Sequence, residues 1–221
     1  MPNPLGQRES AAIPELNASL IWKKEPRYDS FLFTGGVAGP AIVPFFQVQK
    51  GQAGSGFAVA KSDAETNLGT PGKIGKPNQF LLYGFTVSVL QGVPVADAAS
   101  SLASDWAQIY NAAVFRFVLG GNTQLEIPLA KIPTGMGPTG FAAQAGGVAS
   151  TPLHMSSMTN GIPQPEYYYS FTVPGSKLPL LIQGDQPFRC EIGYPLAVVT
   201  TVAGRNTRLR CYMHGVYGAE K

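Results

Sequence analysis

The run Thr207–Tyr217 constrains the fold of this chain most. Leu209, Cys211 and Met213 fall on one face, and Arg208, Arg210, Tyr212 and His214 fall on the other. A period of two is the mark of a strand with one face in a core and one face polar. Three more apolar or alternating runs precede it: Tyr167–Val173, Leu178–Ile182 and Phe188–Val202. No cluster of catalytic residue types lies along them. The chain reads as a β scaffold whose function lies in its surfaces.

Charge supports that reading. Charged residues make up only 13% of the chain, against 44% apolar, and about a quarter charged is usual for soluble domains. Such a surface suits contact with other subunits. Gly 26 and Pro 19 punctuate short runs at turns, as all-β folds require. The net charge is +3, and residues 1–30 hold four basic and four acidic side chains. No block of like charge offers a footprint for nucleic acid, so no specific nucleic-acid partner is expected. Arg205, Arg208 and Arg210 read as a solvated strand face.

The start, MPNPLGQRES, has no apolar core of a secretory signal. No run reaches the ~18–20 apolar residues of a membrane span. Cys190 and Cys211 fit an intracellular product with free thiols, with a bond between neighbouring strands as the alternative. The sequon Asn17-Ala18-Ser19 reads as chance.

Residues 1–30 read as an arm, broken by Pro2, Pro4, Pro14 and Pro26 and carrying Leu16, Leu20, Ile21 and Trp22 as an apolar patch. Residues 31–221 read as one domain. Its first strands are expected at Ser30–Thr34 and Ala41–Gln49. Residues 50–79 read as a long exposed loop with a short strand at Phe57–Ala60. Phe80–Leu90 is a strong strand. The one helix is expected at Asp97–Asn111, capped by Asp97, with Leu102, Trp106 and Ile109 at helical spacing. Ala113–Leu119 and Thr123–Leu129 form a hairpin around Gly120-Gly121-Asn122. Residues 132–165 are a second long excursion. The tally is eight main strands in two groups of four, which matches an all-β, single jelly-roll barrel or sandwich with long loops and one short helix.

Reactive chemistry is missing. His154 and His214 lie 60 residues apart with no ligand-spaced partner, so no metal is expected. Gly135-Met136-Gly137-Pro138-Thr139-Gly140 fits G-x-G-x-x-G, but Pro138 opposes the helix that a dinucleotide needs. Gly51–Gly56 lacks the Lys-Ser/Thr of a phosphate loop. Asp63 and Glu65 share a loop, and the other carboxylates are scattered. Glu126 and Glu191 are the one pair on strands that a glycosidase would use, and they read instead as facing solvent or an Arg. No G-x-S-x-G accompanies the serines. Tyr167-Tyr168-Tyr169 reads as cross-strand packing before sugar stacking. Catalytic, cofactor-binding and metal residues are therefore all expected to be none, and the chain is not expected to be an enzyme.

Two stretches carry a resemblance. FRFVLGGNTQLEIPLAKIPTGMGPTG spans 115–140, with Pro128-Leu129 and Ile132-Pro133-Thr134-Gly135-Met136-Gly137. LPLLIQGDQPFRCEIGYPLAVV and RLRCYMHGVYG span 178–199 and 208–218, closing on His214-Gly215-Val216-Tyr217. Together they resemble the jelly-roll capsid proteins of tailless icosahedral viruses (phages) with an internal membrane. The resemblance implies a viral structural protein, a self-assembling subunit of an icosahedral shell. Members of that group use one barrel per chain or two, and the strand tally here favours one. It implies as partners copies of itself, other capsid proteins and the internal viral membrane. It places the protein in the virion, assembled in the host cytoplasm. The neutral residues 1–30 depart from the basic tails common in that group, which argues against contact with genome or acidic lipid. The alternative function is a carbohydrate-binding or receptor-binding jelly roll, spike- or adhesin-like. Exposed aromatics around a groove on one sheet face would favour it.

Overall fold

The structure is a computed structural model. It describes residues 19–91, 108–110, 112–133, 142–146, 154–158, 168–172, 179–195, 199 and 206–220. Among them the chain is nearly all-β, in two antiparallel sheets that pack as a sandwich, with a separate two-stranded ribbon.

The strands in chain order are β1 (Leu20–Lys24), β2 (Arg27–Phe33), β3 (Ile42–Phe45), β4 (Gln79–Gln91), β5 (Val114–Leu119) and β6 (Asn122–Pro128). They continue with β7 (Ala142–Gly146), β8 (His154–Met158), β9 (Tyr169–Ser170), β10 (Leu180–Ile182), β11 (Phe188–Gly193) and β12 (Thr207–Glu220). In the larger sheet β12 is central. β4 runs along one side of it, and β1 and β2 share the other, β2 beside Thr207–Met213 and β1 beside Val216–Glu220. β10 and β9 complete the far edge of β4. The smaller sheet has the order β3-β11-β5-β6, and β7 pairs with β8 in the ribbon. The pairings are nested: β5 with β6, β4 with β10, β3 with β11, and β2 with β12. The chain thus folds back on itself like one long hairpin, divided between two layers.

The alternation expected of β12 is present. Leu209, Cys211 and Met213 are fully buried, while Arg208, Arg210, Tyr212 and His214 stand on the opposite face. Aromatic rings join the two layers. Phe85 of β4 meets Phe115 and Phe117 of β5, each at 5.1 Å between ring centres, and Phe171 at 5.9 Å. Such edge and tilted contacts add to the burial of the rings themselves. Cys190 and Cys211 are buried free thiols, one in each layer, close enough to interact. Burial, with the neighbouring Cys211, pushes the Cys190 thiol well up.

Several elements differ from expectation. The boundary expected at residue 30 falls inside β2, and Leu20–Lys24 adds an edge strand, so the described end of the arm belongs to the sheet. Ala41–Gln49 contracts to Ile42–Phe45, because Phe46 takes a left-handed conformation (φ 65°) that ends the strand. Phe57–Ala60 forms no strand. Residues 50–79 are not simply exposed, since Lys61, Thr66, Leu68 and Ile74 are buried. Of Tyr167–Val173, Tyr169–Ser170 is strand and Tyr168, Phe171 and Thr172 are not. Of Phe188–Val202 the strand is Phe188–Gly193, with 194–195 and 199 outside it. Residues 167, 173, 196–198 and 200–202 lie outside the described residues. Of the expected helix Asp97–Asn111, Gln108–Tyr110 is helical, and 97–107 and 111 lie outside the described residues. Tyr110 is buried, and its hydroxyl donates to the Val87 carbonyl at 2.6 Å. A short 3-10 turn, Leu129–Lys131, was not legible in advance. The hairpin β5–β6 is as expected, with Gly120 (φ 59°) and Gly121 (φ 86°) in the positive-φ region its turn requires.

Leu209 tests this register. Truncation to Ala leaves a cavity in the centre of the larger sheet and is expected to cost about 2–5 kcal/mol in denaturant unfolding. Leu209→Asp buries an unpaired charge and is expected to abolish soluble folding. Mild melts for both variants would place β12 at the periphery.

Candidate functional site

The most unusual chemistry lies where β2 meets the loop 46–79. In R-Y-D-S-F-L-F (27–33), period two puts Asp29 on the face of Phe31 and Phe33, and its partner in β12 is the core residue Cys211. The Asp29 carboxyl is fully buried, as is the Lys61 side chain that meets it. Lys61 Nζ donates to Asp29 Oδ1 and to the Ser30 carbonyl, each at 2.7 Å. The Phe46 N–H donates to Asp29 Oδ2 at 2.6 Å. The Phe57 ring lies 5.5 Å from Nζ. Burial pushes the Asp29 carboxyl up from its ordinary range, against the opposing pull of Lys61. The same burial draws the Lys61 ammonium down, against the pull of Asp29. Removing one partner of such a pair leaves a charge with no counterpart in the core. The Phe46 N–H contact also holds a left-handed, non-glycine residue, a conformation that costs on the order of 1–2 kcal/mol by itself.

The second feature is the outer face of the larger sheet. Rows across β2, β12 and β4 are Ser30–Arg210–Ser88 and Tyr28–Tyr212–Thr86. Arg210 Nε donates to the Ser30 hydroxyl at 3.0 Å, and its guanidinium also donates to the Ala64 carbonyl. The Tyr28 hydroxyl donates to the Asp63 carbonyl at 2.5 Å, and Arg208 pairs with Glu65 at 3.5 Å. The loop therefore covers the arginines, and Arg208 keeps only 14% side-chain exposure. The expected solvated strand face is corrected accordingly. Further along, His214 stacks on Tyr168 (5.1 Å between centres, 14° between planes), and its Nε2 lies 2.9 Å from the Thr86 hydroxyl. Gly84 makes this crossing possible, because a Cβ there would collide with the Tyr169 carbonyl and the Tyr168 ring. Between His214 and Gly215 the register with β4 slips, so that Tyr83 has no opposite residue on β12. Tyr83 and Tyr168, with Ser170, Phe171, Thr172 and Pro179, line an open groove of about 260 Å³.

The other sequence candidates disperse. Glu126 and Glu191 flank Arg116 on the smaller sheet, at 3.1 and 4.0 Å, and Glu191 also pairs with Arg189 at 2.9 Å. They face arginines and form no acid pair across a cleft. His154 lies on β8, away in chain and pairing from His214 on β12. Of the three tyrosines, Tyr168 stacks on His214 and Tyr169 packs against the core, while Tyr167 lies outside the described residues. Residues 134–140, with the Gly-rich match, and Arg205 also lie outside them. Gly51–Gly56 forms turns with left-handed residues at Gly51, Ser55 and Gly56. Among the described residues no three His, Cys, Asp or Glu side chains gather as a metal site, and no helix is long and apolar enough to cross a membrane. The Asp29–Lys61 pair was missed, although the alternation of 27–33 placed Asp29 in the core row.

No family model, curated protein or solved structure matches the chain.

Two outcomes follow from this geometry. Lys61→Met should destabilise the fold by about 3–5 kcal/mol, because it leaves Asp29 buried and unpaired. Adding Asp29→Asn should recover part of that loss, since Asn carries no charge and still accepts from the Phe46 N–H. Denaturant unfolding of both variants checks this, and a double variant no more stable than the single one contradicts it. The second outcome concerns pH. Burial, with Lys24 nearby, lowers the His214 pKa to about 4 from 6.5. The unfolded chain then takes up this proton from about pH 6.5 downward and the folded chain only near 4, so stability is full above that window and falls as pH drops through it. Thermal melts should show a loss on the order of 3 kcal/mol across the window. His214→Gln should flatten it, and an unchanged pH profile in that variant would contradict the assignment.

Proposed function

We propose that the chain is a single jelly-roll subunit of an icosahedral viral shell, acting by self-assembly and without catalysis. The observation that carries this reading is the nested pairing of β2 with β12, β3 with β11, β4 with β10 and β5 with β6. Split between two sheets, this nesting supports a jelly roll, which is built from two interleaved halves. The resemblance of 115–140 and of the C-terminal stretches to capsid proteins of membrane-containing phages points the same way. So does the low charge of the chain. Apolar side chains stand out near the sheet edges and in the loop, with Ile21, Ile42 and Val59 among the exposed ones. In this reading the first residues of the chain and the excursions 50–79 and 132–165 meet neighbouring copies and other shell proteins. Obligate contacts of that kind typically bury more than about 2,000 Å². The protein then resides in the virion of a bacteriophage. The internal viral membrane is a further partner in this reading.

A second reading is favoured by one observation, the groove beside Tyr83 and Tyr168. Aromatic rings at a groove on a sheet suit a carbohydrate- or receptor-binding module. In that case Tyr168→Ala should abolish glycan binding by a chain that stays monomeric.

The deciding experiment is mass measurement with electron microscopy of the full chain over a wide concentration range. The capsid reading expects discrete oligomers or shells. It also expects deletion of residues 1–18, which stops short of β1, to weaken assembly and leave the melt unchanged. A chain that is monomeric at every concentration and found outside any particle would overturn it.

A further inference from the structure

We infer that Lys61 and Asp29 condense in the folded chain to a side-chain amide, an isopeptide bond between β2 and the loop 46–79. The hydrogen bonds around the pair carry the inference. A secondary amide has one N–H to donate and one carbonyl to accept. Outside the pair itself, the hydrogen-bond partner of Lys61 Nζ among the described residues is the Ser30 carbonyl at 2.7 Å. On Asp29, Oδ2 is held by the Phe46 N–H at 2.6 Å. The remaining contact, Nζ to Oδ1 at 2.7 Å, joins the atom that would attack to the oxygen that would leave. The amide would therefore keep these two hydrogen bonds and replace the Nζ–Oδ1 contact with the new bond. The Thr66 side chain is a further hydrogen-bond partner of the Asp29 carboxyl.

The chemistry balances without an oxidant, a reductant or a second substrate. The Nζ lone pair adds to Asp29 Cγ. Negative charge gathers on Oδ2, where the Phe46 N–H already points, as in an oxyanion hole. A proton passes from Nζ to Oδ1, the Cγ–Oδ1 bond breaks, and Oδ1 departs as one water. The step needs a neutral amine and a protonated acid. Burial favours that form of both groups, since it raises the carboxyl and lowers the ammonium. In water the reaction of an acid with an amine is held back by their ionisation and by the need to bring them together. Here the fold supplies both proximity and desolvation. With both side chains fully buried, water has little access for the reverse reaction. Glu65, the other carboxylate that acts on Lys61, is engaged with Ser62 and Arg208 and leaves the Asp29 carboxyl as the acceptor. The inference does not depend on the proposed function.

The test is the intact mass of the full chain, folded, incubated, and then denatured under reducing conditions. The expected mass is lower by one water than the sequence requires. After trypsin, cleavage behind Lys61 should be lost, and the peptides bearing Asp29 and Lys61 should travel as one branched species. Lys61→Arg should restore the full mass. A folded, aged chain at full mass would overturn the inference and leave the pair as an ion pair only. A missing water that maps to any residues other than Asp29 and Lys61 would overturn it equally.

Discussion

The contact between Asp29 and Lys61 ties β2 to the loop that follows β3 through the core. Asp29 stands in a row of core residues on β2, beside Phe31 and opposite Cys211, where a lone carboxylate would be intolerable. It is satisfied from two directions, by Lys61 and by the Phe46 N–H. Both donors belong to the loop that follows β3. The pair thus fixes where β3 ends, holds Phe46 in its left-handed turn, and draws the loop against the outer edge of the larger sheet. With Lys61 seated, the next residues fall over the sheet's outer face, where Asp63, Ala64 and Glu65 meet Tyr28, Arg210 and Arg208. Leu68 and Ile74 then enter the core. A polar lock in the interior positions a long loop that has few apolar residues of its own.

The outer face of the larger sheet follows from the same arrangement. One end is roofed by the loop, with its arginines already paired. At the other end, the slip in register at His214 and the bare backbone at Gly84 let Tyr168 cross the sheet and stack on the imidazole. Between the two ends Thr86 and Ser88 are buried under longer side chains. What stays open is the groove beside Tyr83 and Tyr168 and the sheet edges. Among the described residues, no three His, Cys, Asp or Glu side chains gather as a metal site.

Much of the scaffold was legible in the sequence. β12, β4 and the β5–β6 hairpin follow from period-two alternation, an apolar run and a glycine turn, all of which act over a few residues. Leu209, Cys211 and Met213 face the core as their spacing implied. The lock was not found, because its members lie 32 residues apart and Lys61 sits in a stretch whose composition reads as exposed loop. Burial of that lysine depends on a partner that local pattern does not reveal. The half of the signal that was local, Asp29 in step with Phe31 and Phe33, was obscured by the prolines and mixed charges around it, which made 1–30 read as an arm. Strand lengths were overestimated at β3, β9 and β11 for a related reason. Apolar runs continue past the point where a backbone turn ends the pairing, as Phe46 does for β3.

The central claim is that the Asp29–Lys61 contact fastens the loop to the sandwich, and amide hydrogen exchange tests it most directly. The Phe46 N–H should exchange about as slowly as the amides of β12, because it opens only when the sandwich does. In Lys61→Met its protection, and that of residues 61–68, should fall well beyond the global loss of stability, while the β5–β6 hairpin loses no more than that global loss. Rapid exchange at Phe46 in the natural chain, or an even loss across all strands in the variant, would contradict the account.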